Sequence, residues 1–74
     1  MDDNDLEELY NKYLEFTAQA IDQYKSGAAV AAIMMTQAMG IYRTILSDEE
    51  YDAMASEIWE RRNEITSLNK DTIQ

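Results

Sequence analysis

Acidic side chains supply most of the reactive groups in this chain, which has 15 Asp and Glu residues but no His and no Cys. Without imidazole or thiol groups, it lacks the usual proton shuttles, sulfur nucleophiles and soft metal ligands. Residues 2–5 (DDND) look like the start of a calcium-binding loop, but the central Gly and the loop length are missing. The pairs Glu7/Glu8 and Glu49/Glu50 fall on the solvent side of helical patterns. We therefore predict no enzyme activity, no metal site and no cofactor.

One aromatic and basic cluster stands out in this acidic chain. Trp59 is followed by Arg61 and Arg62, and Trp and Arg are enriched among the residues that dominate binding energy at interfaces. Arg62 falls on the apolar stripe of its predicted helix. We expect its guanidinium to reach the rim of the core. The alternatives are an ion pair with Glu15 or Asp22, or contact with a bound anion.

The central stretch 27–46, GAAVAAIMMTQAMGIYRTIL, is predicted to be the helix around which the others are arranged. Its only charge is Arg43, and long acidic segments lie on both sides. At about 100° per residue, its large apolar side chains cover half of the helix surface, and the other half carries few polar groups. We therefore expect the flanking helices to cover most of its circumference.

Small residues recur every four positions along this central helix, at Ala28, Ala32, Thr36, Gly40 and Thr44. Such a ridge allows another helix to come close, and Gly inside a helix costs about 1 kcal/mol relative to Ala. Two interpretations stay open: a helix crossing at Gly40, or a ridge that follows only from an Ala-rich composition.

Capping signals set the predicted helix ends. Asn4 or Asp5 should cap the first helix, and 25–27 (KSG) should end it with Gly in the terminating position. Ser47 and Glu50 form a capping box at the start of the third helix. The predicted helices span about 5–25, 28–46 and 48–68, with a frayed tail at 69–74. The apolar stripe of the first helix consists of Leu6, Leu9, Tyr10, Tyr13, Thr17, Ala20, Ile21 and Tyr24.

The fold class follows from these helices, because the chain has no Pro and only two Gly. We predict one small all-α domain over residues 1–74. It is a three-helix arrangement, a helical hairpin plus a packed first helix, without strands. In an alternative pairing the first helix packs mainly on another subunit.

Self-association is predicted because a 74-residue chain has too small a core to hide the central helix. We expect a two-fold homodimer with the central helices near its axis. The candidate interface consists of Met34, Met35, Met39, Ile41, Tyr42, Trp59 and Arg62.

The net charge of −9 opposes direct binding to nucleic acid and to anionic lipid. The uncharged run 26–42 is shorter than the about 20 apolar residues of a membrane span, and the N-terminus does not resemble a signal peptide. We expect a cytoplasmic, noncatalytic adaptor or inhibitor that binds another protein. The alternative is an acidic nucleic-acid mimic that blocks a DNA- or RNA-binding protein.

The run AIMMTQAMGIYRTILSDEEYDAMASEI resembles a family of small, uncharacterised acidic helical proteins encoded by tailed phages of marine cyanobacteria. The shared features are a Met/Ala-rich helix, an Ile-Tyr-Arg/Lys-Thr segment and a Tyr-x-x-Met continuation, over roughly residues 30–65. The resemblance implies a phage accessory protein that acts on a host or phage protein in a bacterial cytoplasm. It implies no site residues.

Overall fold

The computed structural model describes residues 1–68 of the chain. Its α-helices are α1 (Asp3–Tyr24), α2 (Gly27–Ile45) and α3 (Asp48–Glu60), and a short 3₁₀ turn (Arg62–Glu64) follows. No strand occurs within residues 1–68, and the predicted all-α class with three helices is confirmed. The tail predicted to fray, 69–74, lies outside the described residues.

The start of α1 differs from the prediction. Its cap is Asp2, not Asn4 or Asp5. The Asp2 carboxylate accepts a hydrogen bond of 2.9 Å from the Asp5 amide, and the Asp5 carboxylate accepts one of 3.2 Å from the Asp2 amide. Because two carboxylates three residues apart each satisfy the other's amide, α1 begins at Asp3.

The junction between α1 and α2 also differs from the prediction. Lys25, not Gly27, has the left-handed conformation that ends α1, with φ 58° and ψ 30°. Its amide donates to the Ile21 carbonyl at 2.7 Å. Gly27 is the first residue of α2, and the Ser26 hydroxyl accepts a hydrogen bond from the Ala29 amide at 3.1 Å. Ser26 therefore caps α2.

The capping box at the start of α3 is confirmed. The Ser47 hydroxyl accepts from the Glu50 amide at 3.1 Å, and a Glu50 carboxylate oxygen accepts from the Ser47 amide at 3.0 Å. The predicted end of this helix at 68 is wrong, because α3 stops at Glu60 and the chain is extended at Ile65. Asn, Thr and Ser, which are poor helix formers, fill much of the segment after Arg62.

Burial is confined to a small part of α1. The chain divides into two compact units, of which one contains residues 1–31 and the other residues 32–67. In the first, Ile21 is 5% exposed and Thr17 is 8% exposed. The other large members of the predicted stripe, Leu6, Leu9, Tyr10, Tyr13 and Tyr24, are exposed. The single domain expected over residues 1–74 stays a prediction.

The central helix is open, contrary to the prediction that it is covered on most of its circumference. None of the residues of α2 is buried. Among residues 32–67, the most covered side chains are only half-buried; they are Met39, Leu46, Tyr51, Met54 and Ala55. Within residues 1–68, no helix has the combination of length and apolarity needed to cross a bilayer.

Candidate protein-docking surfaces

Arg43 links the end of α2 to the start of α3. Its Nη1 lies 3.5 Å from an Asp48 carboxylate oxygen, and its Cζ lies 5.0 Å from the centre of the Tyr51 ring. Both contacts draw the one charged side chain of α2 toward the turn. Sequence reasoning missed this role, although a lone Arg one turn before an acidic helix start was the available signal.

Trp59 and Arg62 form a stacked pair at the end of α3. Arg62 Cζ lies 4.2 Å from the centre of the Trp59 ring, and Arg62 Nη1 donates to the Trp59 carbonyl at 2.9 Å. The guanidinium therefore satisfies a terminal helix carbonyl and covers an indole ring at the same time. Trp59 is still 66% exposed, so the pair presents an aromatic and basic surface to the outside.

The expectation that Arg62 reaches the rim of a core is wrong. Because α3 stops at Glu60, Arg62 is exposed and lies on the 3₁₀ turn, not on a helical stripe. Within residues 1–68 no carboxylate forms an ion pair with Arg62, whereas Arg61 contacts Glu57 at 2.7 Å.

The five candidate interface residues of α2 lie within about 160° of the helix circumference, at about 100° per residue. Met34 and Ile41 lie at one edge of this arc, and Met35, Met39 and Tyr42 lie toward the other. Met35 is well exposed and Met39 is half-buried. Trp59 and Arg62 belong to the next elements of the chain, and a shared interface of these residues stays a prediction.

A further face of α2 combines large isoleucines with small residues. Shallow depressions on it are lined by Ala32, Ile33, Thr36 and Gln37, and by Gln37, Gly40, Ile41, Thr44 and Ile45. At about 100° per residue, these eight residues together cover about 220° of the helix circumference.

A helix crossing at Gly40, one of the two interpretations of the small-residue ridge, is not made within residues 1–68. A Cβ atom built on Gly40 meets no heavy atom within 4 Å. The space beside this glycine is therefore open.

Most acidic contacts in the structure are local to one helix or one turn. Asp2, Asp5 and Glu50 cap helices, while Glu8 pairs with Lys12 at 3.3 Å. The hydrogen bonds from Ser47, first from its backbone amide and then from its side chain, lower the pKa of the Glu50 carboxyl below its ordinary value. Within residues 1–68, no three acidic side chains come together in a way that would hold a metal ion.

No family model, curated protein or solved structure matches this chain.

Proposed function

We propose that this chain is a noncatalytic protein-binding module, an adaptor or an inhibitor, that docks a partner on the exposed surface at the end of α3. The observation that carries the proposal is the Trp59–Arg62 stack. An indole that is 66% exposed buries a large apolar area when a partner covers it. Burial of apolar surface is the main source of binding energy.

The stack is also held in place before any partner arrives. The Arg62 guanidinium is fixed by the Trp59 carbonyl at 2.9 Å and by the indole ring at 4.2 Å. Ordering a free arginine or tryptophan side chain at an interface costs about 0.5–1.5 kcal/mol. Because the two side chains already order each other, binding a partner requires less of this ordering free energy.

The charge of Arg62 defines the partner chemistry. The other basic side chains within residues 1–68, Lys12, Lys25, Arg43 and Arg61, each lie within ion-pair distance of a carboxylate. Arg62 keeps donors for a carboxylate on the partner. We expect an apolar partner surface with an acidic side chain at its rim, because a guanidinium binds a carboxylate through two parallel hydrogen bonds.

The setting proposed for this activity is a bacterial cytoplasm, with the chain acting as a phage accessory protein on a host or phage protein. The resemblance described above supports that setting. We also propose a homodimer through α2, supported by the exposure of Met35, which is 60%, and of Ile41, which is 62%.

The alternative function, mimicry of a nucleic acid, has weaker support. A mimic needs carboxylates that are free to replace phosphates in a basic cleft. Here Glu8, Asp22, Asp48, Glu57 and Glu64 lie within 4.0 Å of basic side chains of the same chain. These ion pairs reduce the acidic potential that a basic cleft would recognise.

Trp59→Ala tests the docking proposal in a pull-down from cyanobacterial lysate. The amount of partner that the variant captures should fall at least about tenfold, since hot-spot truncations cost about 2 kcal/mol or more. Phe16→Ala is the matched control, because Phe16 is an equally exposed aromatic on α1 and its truncation should leave capture unchanged. Helical content by circular dichroism should be the same in all three proteins.

Salt separates the two functions in the same experiment. Exposed charges are screened within about 8 Å at 0.15 M salt, so a mimic loses its partner steeply as ionic strength rises, whereas an apolar docking face retains it. A partner that tolerates Trp59→Ala and is released by moderate salt contradicts the docking proposal.

A further inference from the structure

We infer that Arg61 is a positioning residue for the docking surface at the end of α3. Its ion pairs with Glu57 and Glu64 hold the turn that keeps Arg62 stacked on Trp59. The inference rests on the proposed function for the use of the stack by a partner. The positioning itself is a property of the free chain, so it can be measured without a partner.

The main chain of Arg61 joins the last turn of α3 to the 3₁₀ turn. Arg61 lies between Glu60, where α3 ends, and Arg62, where the 3₁₀ turn begins. Its amide donates to the Glu57 carbonyl at 3.1 Å, and its carbonyl accepts from the Glu64 amide at 2.9 Å. The two elements are therefore hydrogen-bonded through this one residue.

The side chain of Arg61 bridges the same two elements. Arg61 Nε lies 2.7 Å from a carboxylate oxygen of Glu57 and 3.8 Å from one of Glu64. Glu57 belongs to α3 and Glu64 to the 3₁₀ turn. A single exposed ion pair contributes little to stability, but a network of several charges contributes more. One guanidinium shared by two carboxylates is such a network, and it ties the turn to the helix.

The turn depends on such polar contacts because apolar packing does not hold it. All residues from 57 to 68 are exposed. A 3₁₀ turn has poorer hydrogen-bond geometry than an α-helix, and the chain is already extended at Ile65. Without the Arg61 contacts, little in residues 57–68 would fix the path of the backbone through Arg62.

The two neighbouring arginines have separate tasks. Successive side chains point about 100° apart on an α-helix and about 120° apart on a 3₁₀ helix. Glu57 and Glu64, at −4 and +3, therefore lie on the side of Arg61. Trp59 lies three residues before Arg62, on the side of Arg62. Arg61 pairs with the carboxylates, whereas Arg62 contacts the indole ring at 4.2 Å and the Trp59 carbonyl at 2.9 Å.

NMR of the free chain tests the inference. Trp59 is the only Trp of the chain, and protons held over an indole ring resonate upfield. The Arg62 side-chain protons should therefore lie upfield of their positions in Trp59→Ala. Arg61→Gln removes the charge of Arg61 and keeps a good helix former. It should shrink this upfield shift by an amount that corresponds to a two- to fivefold fall, roughly, in the ratio of stacked to unstacked Arg62, the range that exposed ion pairs provide.

Two control variants separate positioning from a general effect of charge. Lys12→Gln removes the cation of another exposed ion pair, Lys12–Glu8 at 3.3 Å, and should leave the Arg62 shift unchanged. Arg61→Lys should retain most of the shift, because an ammonium still pairs with Glu57 four residues away. Circular dichroism should show the same helical content in every variant. An equal loss of shift in Arg61→Lys and Arg61→Gln would contradict positioning by an ion pair.

A double-mutant cycle tests the contact itself. Glu57→Gln should also reduce the Arg62 shift, and the double variant Arg61→Gln/Glu57→Gln should reduce it no further than Arg61→Gln alone. This non-additivity is expected because the two residues act through one contact. Additive losses in the double variant, or an unchanged shift in Arg61→Gln, overturn the inference.

The shift and the pull-down keep the inference apart from the proposed function. Arg61→Gln should lower the capture of the partner that Trp59→Ala releases, by the same two- to fivefold, roughly, as the loss of stacking. Unchanged capture by Arg61→Gln despite a reduced shift would contradict a positioning role in docking and leave the proposed function intact. A partner that tolerates Trp59→Ala contradicts the proposed function, whatever the shift shows.

Discussion

At the scale of single residues, Lys25 has the least favourable backbone conformation in the described chain. It has a positive φ of 58° where α1 ends, a conformation that glycine adopts without the steric cost of a Cβ. The sequence pattern 25–27 indicated the helix end correctly, but assigned the terminating role to Gly27. The chain instead turns two residues earlier, because Ser26 is then placed to cap α2.

Lys25→Gly should therefore stabilise the chain by about 1 kcal/mol, since it removes the left-handed strain of a residue with a side chain. Lys12→Gly is the matched control. Lys12 also pairs with an acid on its own helix, at 3.3 Å, but it lies inside α1, where glycine costs about 1 kcal/mol. Urea unfolding followed by circular dichroism measures both. A loss of stability in Lys25→Gly would contradict the account of this helix end.

At the scale of elements, the start of α3 was predictable and its end was not. A capping box is a local signal, and Ser47 and Glu50 carry it completely. The helix end coincides with the Trp59–Arg62 contacts, which combine stacking with a hydrogen bond to a backbone carbonyl. Helical periodicity continues beyond Glu60 in the sequence, so the pattern alone extended α3 to 68. The helix ends therefore reflect competition between periodicity and side chains that satisfy terminal groups.

The capping box predicts a pH dependence for α3. Hydrogen bonds from Ser47 favour the ionised Glu50 carboxylate and lower its pKa. A lowered folded-state pKa means that the contribution of Glu50 to stability is fully present above the ordinary value of about 4.3. It is lost as the pH falls through the lower folded-state value.

Carbon-detected NMR titration of the Glu50 carboxyl measures this effect directly. The carboxyl should titrate below the ordinary value of a glutamate, and Ser47→Ala should return its pKa toward that value. Glu50→Gln should remove the contribution of this carboxyl to the pH dependence of the stability of α3. A wild-type Glu50 that titrates at or above the ordinary value would contradict the capping account.

At the scale of the whole molecule, the all-α class followed from composition, but the burial of α2 did not. The predicted covering of α2 assumed that apolar residues are hidden within their own chain. In the described residues only Ile21 and Thr17 are buried, and large apolar side chains on α2 stay open. Sequence patterns report which faces are apolar, but they do not report whether the same chain or another molecule covers them. The candidate interface therefore stays a prediction.

The central proposal is that a second copy of the chain covers exposed apolar side chains of α2, and the mass in solution tests it most directly. Light scattering at high micromolar concentration should give twice the 8.5 kDa mass of one chain. The dimer fraction should rise between 0.05 and 0.5 M salt (chosen to span weak and strong screening, about 14 to 4 Å), because salt weakens the repulsion between chains of charge −9. A mass of 8.5 kDa at every concentration and salt level would contradict the claim.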